Sequence, residues 1–285
     1  MKVLIVGAEG QLGTDLRRVF EACDVAKADL DGDGHHVDIR HRDAVNRLVM
    51  DEVKPDIVVN TAAAHNVEQC EADPETAFGV NAVGAFNLAR ACAAGGARLV
   101  HISTDYVFGN GRREPYTESD LPHPLNVYAV SKLAGEHIIA AECPNHVIVR
   151  TAAIYGTAPC RAKGGRNFVE LMLHLARTQP EVKVVKDEYT SPTYTVALAK
   201  QIRLIAEKGE PGLYHATCSG ECSWYDFAAA IFEETGTSAK LVPATASELQ
   251  TTVRRPGYSV LKNAHAQRLG LDIMPPWRDA LRDYL

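Results

Sequence analysis

Lys2-Val3-Leu4-Ile5-Val6-Gly7-Ala8-Glu9-Gly10-Gln11-Leu12-Gly13 sets a short apolar run against three glycines spaced G-x-x-G-x-x-G. A helical pattern follows, with Leu12, Leu16, Val19 and Phe20 on one face. Glycines suit a strand-to-helix turn that must hold a phosphate. One permits the tight turn, one lets the backbone approach a pyrophosphate, and one lets the helix pack close to the strand. The N-terminus of that helix then offers unpaired N–H groups and about half a positive charge to an anion. Strand before and helix after turn a Gly-rich turn into a dinucleotide-binding candidate. Gly7, Gly10 and Gly13 are its expected contacts.

Outward from this loop the pattern repeats. Val25 to Ala28 reads as a second strand, ending at Asp29. Asp43 is expected to cap a helix carrying Val45, Leu48, Val49 and Val53, stopped by Pro55. Asp56 to Asn60 reads as a strand whose unbroken Ile57, Val58 and Val59 suit a parallel sheet covered on both faces. A long helix is expected after Asp73, with Pro74 in its first turn and Ala77, Val80, Gly84, Leu88 and Ala91 facing inward. Strands at Arg98–Ile102 and His146–Val149 flank a helix expected from Asn126 to about Ala141. Alternating strand and helix implies an α/β fold: a Rossmann-type doubly wound parallel sheet with right-handed crossovers.

After residue 150 the alternation weakens. The stretch from Gly156 to Gly165 reads as a loop. Helices are expected at 167–177, 195–208, 224–235 and 277–284, and strands at 182–186 and 212–216. We therefore expect a nucleotide-binding domain over 1–155. A smaller α/β substrate-binding region should cover 156–285, part of it returning to the first sheet.

The whole-chain figures agree. At 285 residues, 46% hydrophobic and 23% charged, the composition is that of a globular protein. No apolar run approaches the ~20 residues that span a bilayer, and the first run is too short for a signal-peptide core. A net charge of -6 without a basic stripe argues against nucleic acid as the main partner. Seven scattered cysteines suit reduced thiols and a cytoplasmic location rather than a disulfide framework. Cys218 and Cys222 lack a second pair at zinc spacing, so no metal site is expected.

Four further features carry chemistry. Asp29 lies about 20 residues beyond the glycines, where a carboxylate would accept from an adenosine ribose and repel a 2′-phosphate. That favours NADH over NADPH, although Lys27 lies close by. Asp38-Ile39 follows a polar loop and is a candidate for adenine contact. Tyr128-Ala129-Val130-Ser131-Lys132 is Y-x-x-x-K, with both side chains on one helical face. A tyrosine of pKa near 10 is a poor acid–base catalyst at neutral pH. An ammonium about 5 Å away, at an effective dielectric near 20, contributes on the order of 3 kcal/mol, or roughly two pKa units. Such a pair can shuttle a proton to a carbonyl oxygen. Thr104 ends a strand, where open α/β sheets bind ligands, and its hydroxyl can bond the same oxygen. His65 and His101 lie near this group and are expected to pack or hydrogen-bond rather than catalyse. Trp224 and Trp277 read as core or helix-start anchors.

Gly7 to Gly13, Asn60 to Ala64, Asn81, Ser103-Thr104-Asp105-Tyr106-Val107-Phe108 and Tyr128 to Lys132 together resemble an extended short-chain dehydrogenase/reductase. The S-T-D-Y-V-F run and Pro124-Leu125-Asn126-Val127-Tyr128 resemble the dTDP-4-dehydrorhamnose reductase family more narrowly. Arg150-Thr151, Ser191-Pro192-Thr193, Gly212-Leu213-Tyr214-His215 and Arg255-Pro256-Gly257 with Ser259 resemble it too. The resemblance covers nearly the whole chain. It implies hydride transfer from NADH or NADPH to the C4 ketone of dTDP-4-dehydro-L-rhamnose, with Thr104, Tyr128 and Lys132 as the catalytic group. Gln11, Leu12, Ala62, Ala63, Ala64 and Asn81 then join the glycines, Asp29, Asp38, Ile39, Tyr128 and Lys132 at the cofactor. Val67, Thr104, Asp105, Tyr106 and Ala153 fall at the sugar, and Arg255 could face the diphosphate.

Where that family usually carries a tryptophan two residues after Arg-Thr, this chain has Ala153. The basic residues Arg161, Lys163 and Arg166 could compensate by holding phosphate. Some relatives bind Mg²⁺ at a subunit contact, a possibility carried by resemblance alone. A monomer or a homodimer is expected. A sugar-nucleotide 4-epimerase would use the same residues without net oxidation. A 4,6-dehydratase usually has an acidic residue after the Thr-Asp pair, where Tyr106 stands here. A non-catalytic regulatory subunit would not need Thr104, Tyr128 and Lys132 together.

Overall fold

The computed structural model describes residues 1–160, 164–249 and 252–285. The first half runs β1 (Lys2–Val6), α1 (Gln11–Val19), β2 (Asp24–Asp29), β3 (His35–His36), α2 (Arg42–Asn46) and β4 (Ile57–Asn60). It continues with α3 (Val67–Ala72), α4 (Pro74–Phe78), α5 (Ala85–Gly95), β5 (Arg98–Thr104), α6 (Val127–Glu142) and β6 (His146–Thr151). The second half runs β7 (Ile154–Tyr155), α7 (Phe168–Thr178), β8 (Glu181–Val185), β9 (Tyr189–Thr190), β10 (Thr193–Tyr194) and α8 (Thr195–Lys208). It ends with β11 (Gly212–His215), β12 (Cys222–Ser223), α9 (Trp224–Thr235), β13 (Lys240–Ala244), α10 (Ala264–Arg268) and α11 (Trp277–Tyr284).

Seven parallel strands form one sheet in the order β11-β6-β5-β4-β1-β2-β3. Side chains alternate across a strand, and β1 shows both faces at work. Val3 and Ile5 enter one core with Leu16, Phe20, Leu198 and Ile202. Leu4 and Val6 enter the other with Val49, Leu88 and Ile139. Burial on both sides is the reason these strands read as unbroken apolar runs. The second half gives β11 to the sheet edge beside β6 and α8 to the layer over α1. Its own core gathers Tyr155, Val169, Val182, Phe227 and Ile231, under the two-stranded pair β8–β13.

Two local expectations are corrected. Asp43 does not cap α2: the cap is His41, without a side-chain bond, and Asp43 lies in the first turn. There its charge still complements the helix N-terminus. The helix expected after Asp73 is not continuous α-helix, because a π-helical stretch, Gly79–Gly84, joins α4 to α5. A similar stretch, Arg47–Val53, extends α2. Widening the coil at 79–84 moves Asn81 and Gly84 relative to a regular helix, and such bulges gather at functional sites. Gly84 is tight against Ile39: a Cβ there would lie 2.5 Å from Ile39 Cγ1. None of the seven cysteines is in a disulfide. Among the described residues, no helix is long and apolar enough to cross a membrane.

Candidate active site

The C-terminal ends of β1, β2, β4, β5 and β6 open into one cleft of about 970 Å³. The second half of the chain forms its other wall through Phe168, Glu188, Tyr189, Trp224 and Ser259. This is the edge of an open α/β sheet where ligands sit.

At the glycine loop the three positions divide as their spacing suggests. Gly7 has φ of +79°, and a Cβ there would lie 2.7 Å from Ala62 N. Gly13 faces away from the cleft, and a Cβ on it would lie 2.2 Å from Gly7 O. Gly10 caps α1 with no side-chain bond and lines the cleft with Gln11 and Leu12. The first N–H groups of α1 therefore face the cleft, ready for phosphate oxygens. Gln11 also reaches the second half, donating through Nε2 to Gly156 O at 3.2 Å.

Asp29 lies at the end of β2 and lines the cleft. Its carboxylate accepts from Glu9 N at 2.9 Å and from Leu30 N at 2.8 Å, so it braces the glycine loop as well as lining the cleft. Lys27 is engaged by Asp33. Asp38 and Ile39 line the same end, with Arg40 Nε donating to Asp38 Oδ1 at 3.0 Å. Ala62, Ala63 and Ala64 form the facing wall.

Asn81 is not in the cleft wall. It is buried behind it, donating to Ala64 O at 2.9 Å and Ser131 Oγ at 3.0 Å and accepting from Ala64 N at 3.0 Å. The π-helical stretch that carries Asn81 is what lets one amide tie the 62–64 wall to α6.

Thr104, Tyr128 and Lys132 come together. Thr104 ends β5, while Tyr128 and Lys132 share one face of α6, whose cap Asn126 accepts from Ala129 N at 2.9 Å. All three line the cleft. Burial pushes the Tyr128 phenol above its ordinary value; its bond with Thr104 lowers it and the nearby Asp105 charge raises it. The expected lowering by Lys132 does not arise. Lys132 Nζ instead donates to Ile102 O at 2.6 Å and lies 3.2 Å from His101 Nε2. Burial pulls Lys132 down to about 8, with Glu136 acting in the opposite sense.

Next to Thr104, Asp105 is buried and accepts from Ser259 Oγ at 2.5 Å and from Thr104 Oγ1 at 3.2 Å. Burial raises its carboxyl to about 7. Tyr106 stands edge-on to Tyr128, with ring centroids 6.0 Å apart. Val67 and Ala153 line the cleft as expected. Ala153 has φ of +43°, an uncommon backbone state for a residue with a Cβ. Arg255 does not line the cleft, though its neighbour Pro256 does; it pairs with Glu68 and is 19% exposed. Arg161 and Lys163 lie outside the described residues, and Arg166 is exposed. Among the described residues no group of three or more His, Cys, Asp or Glu is placed to hold a metal.

Several wall residues had no local signal. Ser259 lies in the R-P-G-x-S element, yet its partner Asp105 is 154 positions away. Glu188, Tyr189 and Phe168 reach the cleft from the second half. Trp224 starts α9 as expected and also faces the cleft, against Phe168 at 4.6 Å.

The family model of the RmlD substrate binding domain matches residues 1–285. A dTDP-4-dehydrorhamnose reductase of Mycolicibacterium smegmatis is 40% identical, over 99% of this chain and 84% of the relative. The crystal structure of a dTDP-4-dehydrorhamnose reductase from Clostridium acetobutylicum superposes with a TM-score of 0.93 at 40% identity, over 100% of this chain and 98% of the other. Another from Bacillus anthracis, in complex with NADP, gives 0.92 at 35% identity, over 99% and 98%.

Proposed function

The chain belongs to the RmlD substrate-binding-domain family, and on that premise we propose that it reduces the C4 ketone of dTDP-4-dehydro-L-rhamnose to dTDP-L-rhamnose with NADH or NADPH. The observation that carries this reading is one cleft holding both a phosphate-ready glycine loop and the group Thr104, Tyr128 and Lys132. Residues 1–155 would hold the cofactor and 156–285 would close over the sugar nucleotide.

The cradle fits a dinucleotide. Gly7 and Gly10 leave backbone where a side chain would intrude, α1 turns free N–H groups toward the cleft, and Asp29 faces the ribose end. The dihydronicotinamide, when bound, supplies the hydride. Tyr128 holds the proton that the resulting alkoxide needs. Its burial keeps the phenol protonated at neutral pH, the correct state for a donor in the reductive direction. Thr104 fixes that phenol by a hydrogen bond and orients the carbonyl oxygen. Asp105 and Tyr106 would meet the sugar, and the Arg255–Glu68 pair would exchange partners when a diphosphate arrives. Asp29 supports a preference for NADH, because a 2′-phosphate would meet its charge while Lys27 is held by Asp33. We place the enzyme in the cytoplasm.

The test is absorbance at 340 nm with purified protein, each cofactor, and the keto-sugar generated in situ. A substrate-dependent fall is expected, faster with NADH. Tyr128→Phe should lower turnover by ~10²–10⁴ while sparing cofactor binding. Sugar conversion without loss of absorbance would point instead to an epimerase.

A further inference from the structure

Two buried carboxyl groups line the cleft, Asp105 and Glu188. They differ in what holds them. Asp105 accepts from Ser259 Oγ and Thr104 Oγ1, so it is already engaged. Glu188 is 8% exposed, yet among the described residues its carboxylate has no hydrogen bond and no ion pair. Burial raises its pKa, the Arg255 charge lowers it, and the Asp187 charge raises it. A buried carboxylate is costly unless donors reach it, and buried polar groups are normally hydrogen-bonded. Glu188 keeps its acceptor capacity for something that enters the cleft.

The main chain holds this side chain in place. Lys186 and Asp187 just before it are exposed, and Asp187 accepts from Ala246 N at 2.9 Å. Of these consecutive charged residues only Glu188 turns inward. Its carbonyl accepts from Trp224 N, at the start of α9, at 3.3 Å. The next residue, Tyr189, donates its N–H to Gly257 O and accepts from Ser259 N–H, both at 3.0 Å. The glutamate stem therefore starts from a backbone pinned to two other segments of the second half.

Two neighbours place the carboxylate along the substrate. Burial raises the Tyr106 phenol, and the Glu188 charge adds to that rise. Burial lowers Arg255, and the charges of Tyr106, Glu68 and Glu188 act against it. Glu188 is thus near both Tyr106, which stands edge-on to Tyr128, and Arg255. In the reductase reading, on which this inference rests, the sugar has its C4 carbonyl at Tyr128 and its C1 oxygen on the diphosphate near Arg255. A pyranose held by those two ends has one edge with the ring oxygen and the C6 methyl, and another with the 2- and 3-hydroxyls. Only the second edge carries donors, and an ionised carboxylate only accepts. We propose that Glu188 is a specificity-determining residue: its two oxygens accept from the vicinal 2- and 3-hydroxyls of the sugar and so orient the ring in the cleft.

Isothermal titration calorimetry of the full chain, with NADH present so that the product cannot react, compares dTDP, dTDP-L-rhamnose and its 2-deoxy and 3-deoxy counterparts. The unaltered protein should bind dTDP-L-rhamnose at least about tenfold more tightly than either deoxy sugar, the loss expected when a charged acceptor is left without its donor. Glu188→Leu should bind all of the sugar nucleotides alike, with dTDP within about twofold of its parent affinity. Glu188→Gln keeps an acceptor of the same shape, should lose part of the preference, and carries the test if the leucine variant does not fold. An unaltered protein that ignores the hydroxyls overturns the proposal. So does a leucine or glutamine variant with the full preference, or a leucine variant whose affinity for dTDP falls as far as that for the sugar nucleotide. Consumption of NADH with the keto-sugar is read separately. Its absence beside a hydroxyl preference that depends on Glu188 overturns the reductase reading and upholds this assignment.

Discussion

Arg150→Met separates the stabilising share of the buried ion pair from the burial of its parts. Arg150 on β6 and Glu136 on α6 have side chains 3% and 6% exposed. The guanidinium donates three times, through Nε at 2.9 and 3.2 Å and through Nη2 at 2.6 Å. It also lies 5.1 Å over the Phe108 ring. Methionine keeps the length and apolar volume and removes the charge. Glu136 would keep the Ser103 hydroxyl, at 2.5 Å, as its one side-chain donor among the described residues. Breaking one side of such a pair costs about 3–5 kcal/mol, because a buried charge loses its counter-charge. With a urea m of about 3 kcal/mol/M, a loss near 4 moves the midpoint down by about 1.3 M. Trp224 and Trp277 fluorescence can follow the transition. Removing both charges, in Arg150→Met with Glu136→Leu, should recover most of the loss, leaving about 1 kcal/mol for the orphaned Ser103 hydroxyl. The coupling between the two sites should exceed about 2 kcal/mol. A single variant within about 1 kcal/mol of the parent would refute the reasoning. So would a double variant as unstable as the two losses added.

Asp105→Asn tests the buried carboxyl. An unfolded Asp ionises near 4 and the native one near 7, so the native state holds the extra proton in between and loses stability as pH rises through that window. The variant lacks this loss. Its stability relative to the parent should therefore be greater at pH 8 than at pH 5, by on the order of 1–4 kcal/mol in urea midpoints; parallel profiles would argue against a raised carboxyl. Gly13→Ala puts a Cβ 2.2 Å from Gly7 O, so the loop must move off α1. Cofactor affinity should fall at least tenfold by fluorescence titration, and an unchanged affinity would remove Gly13 from the cradle. Asn81→Asp keeps the shape but loses both donors, to Ala64 and Ser131. We expect about 2–4 kcal/mol of destabilisation and a weaker grip on the cofactor, read by thermal melts with and without NADH.

The sheet was legible because parallel strands buried on both faces carry their signal in consecutive residues, as Ile57 to Val59 do. β3 is two exposed histidines and carries none. The π-helical stretch 79–84 was invisible because an apolar face at Ala77, Gly84 and Leu88 hardly distinguishes a regular helix from one widened by a residue. Spacing placed Tyr128 and Lys132 on one face correctly. It could not say where Nζ points, because a four-carbon stem reaches either the phenol or the strand beneath. The carbonyl of Ile102 and the imidazole of His101 decide that, and both belong to β5. Asn81 was recognisable as part of a motif, but its partners lie 17 and 50 positions away.

The same distance argument explains why the R-P-G-x-S element belongs with this family's chemistry although none of its residues donates a proton. Asn126, the cap of the helix bearing Tyr128 and Lys132, donates to Arg254 O at 2.9 Å. Three residues after Arg254, Gly257 O accepts from Tyr189 N–H at 3.0 Å, holding the wall of the second half. Ser259 then reaches Asp105, beside the Thr104 hydroxyl, and Tyr116 N–H bonds Val260 O at 2.8 Å. One stretch, 254–260, thus ties the start of the catalytic helix, the far wall of the cleft and the end of β5. A shift in this segment would be felt at Thr104 and at the helix cap together, so the far wall of the cleft, Thr104 and the start of α6 move as one unit. In the proposed reduction, selection of the substrate and alignment of the proton donor would then be the same structural event, which a cleft assembled from two independent halves could not guarantee.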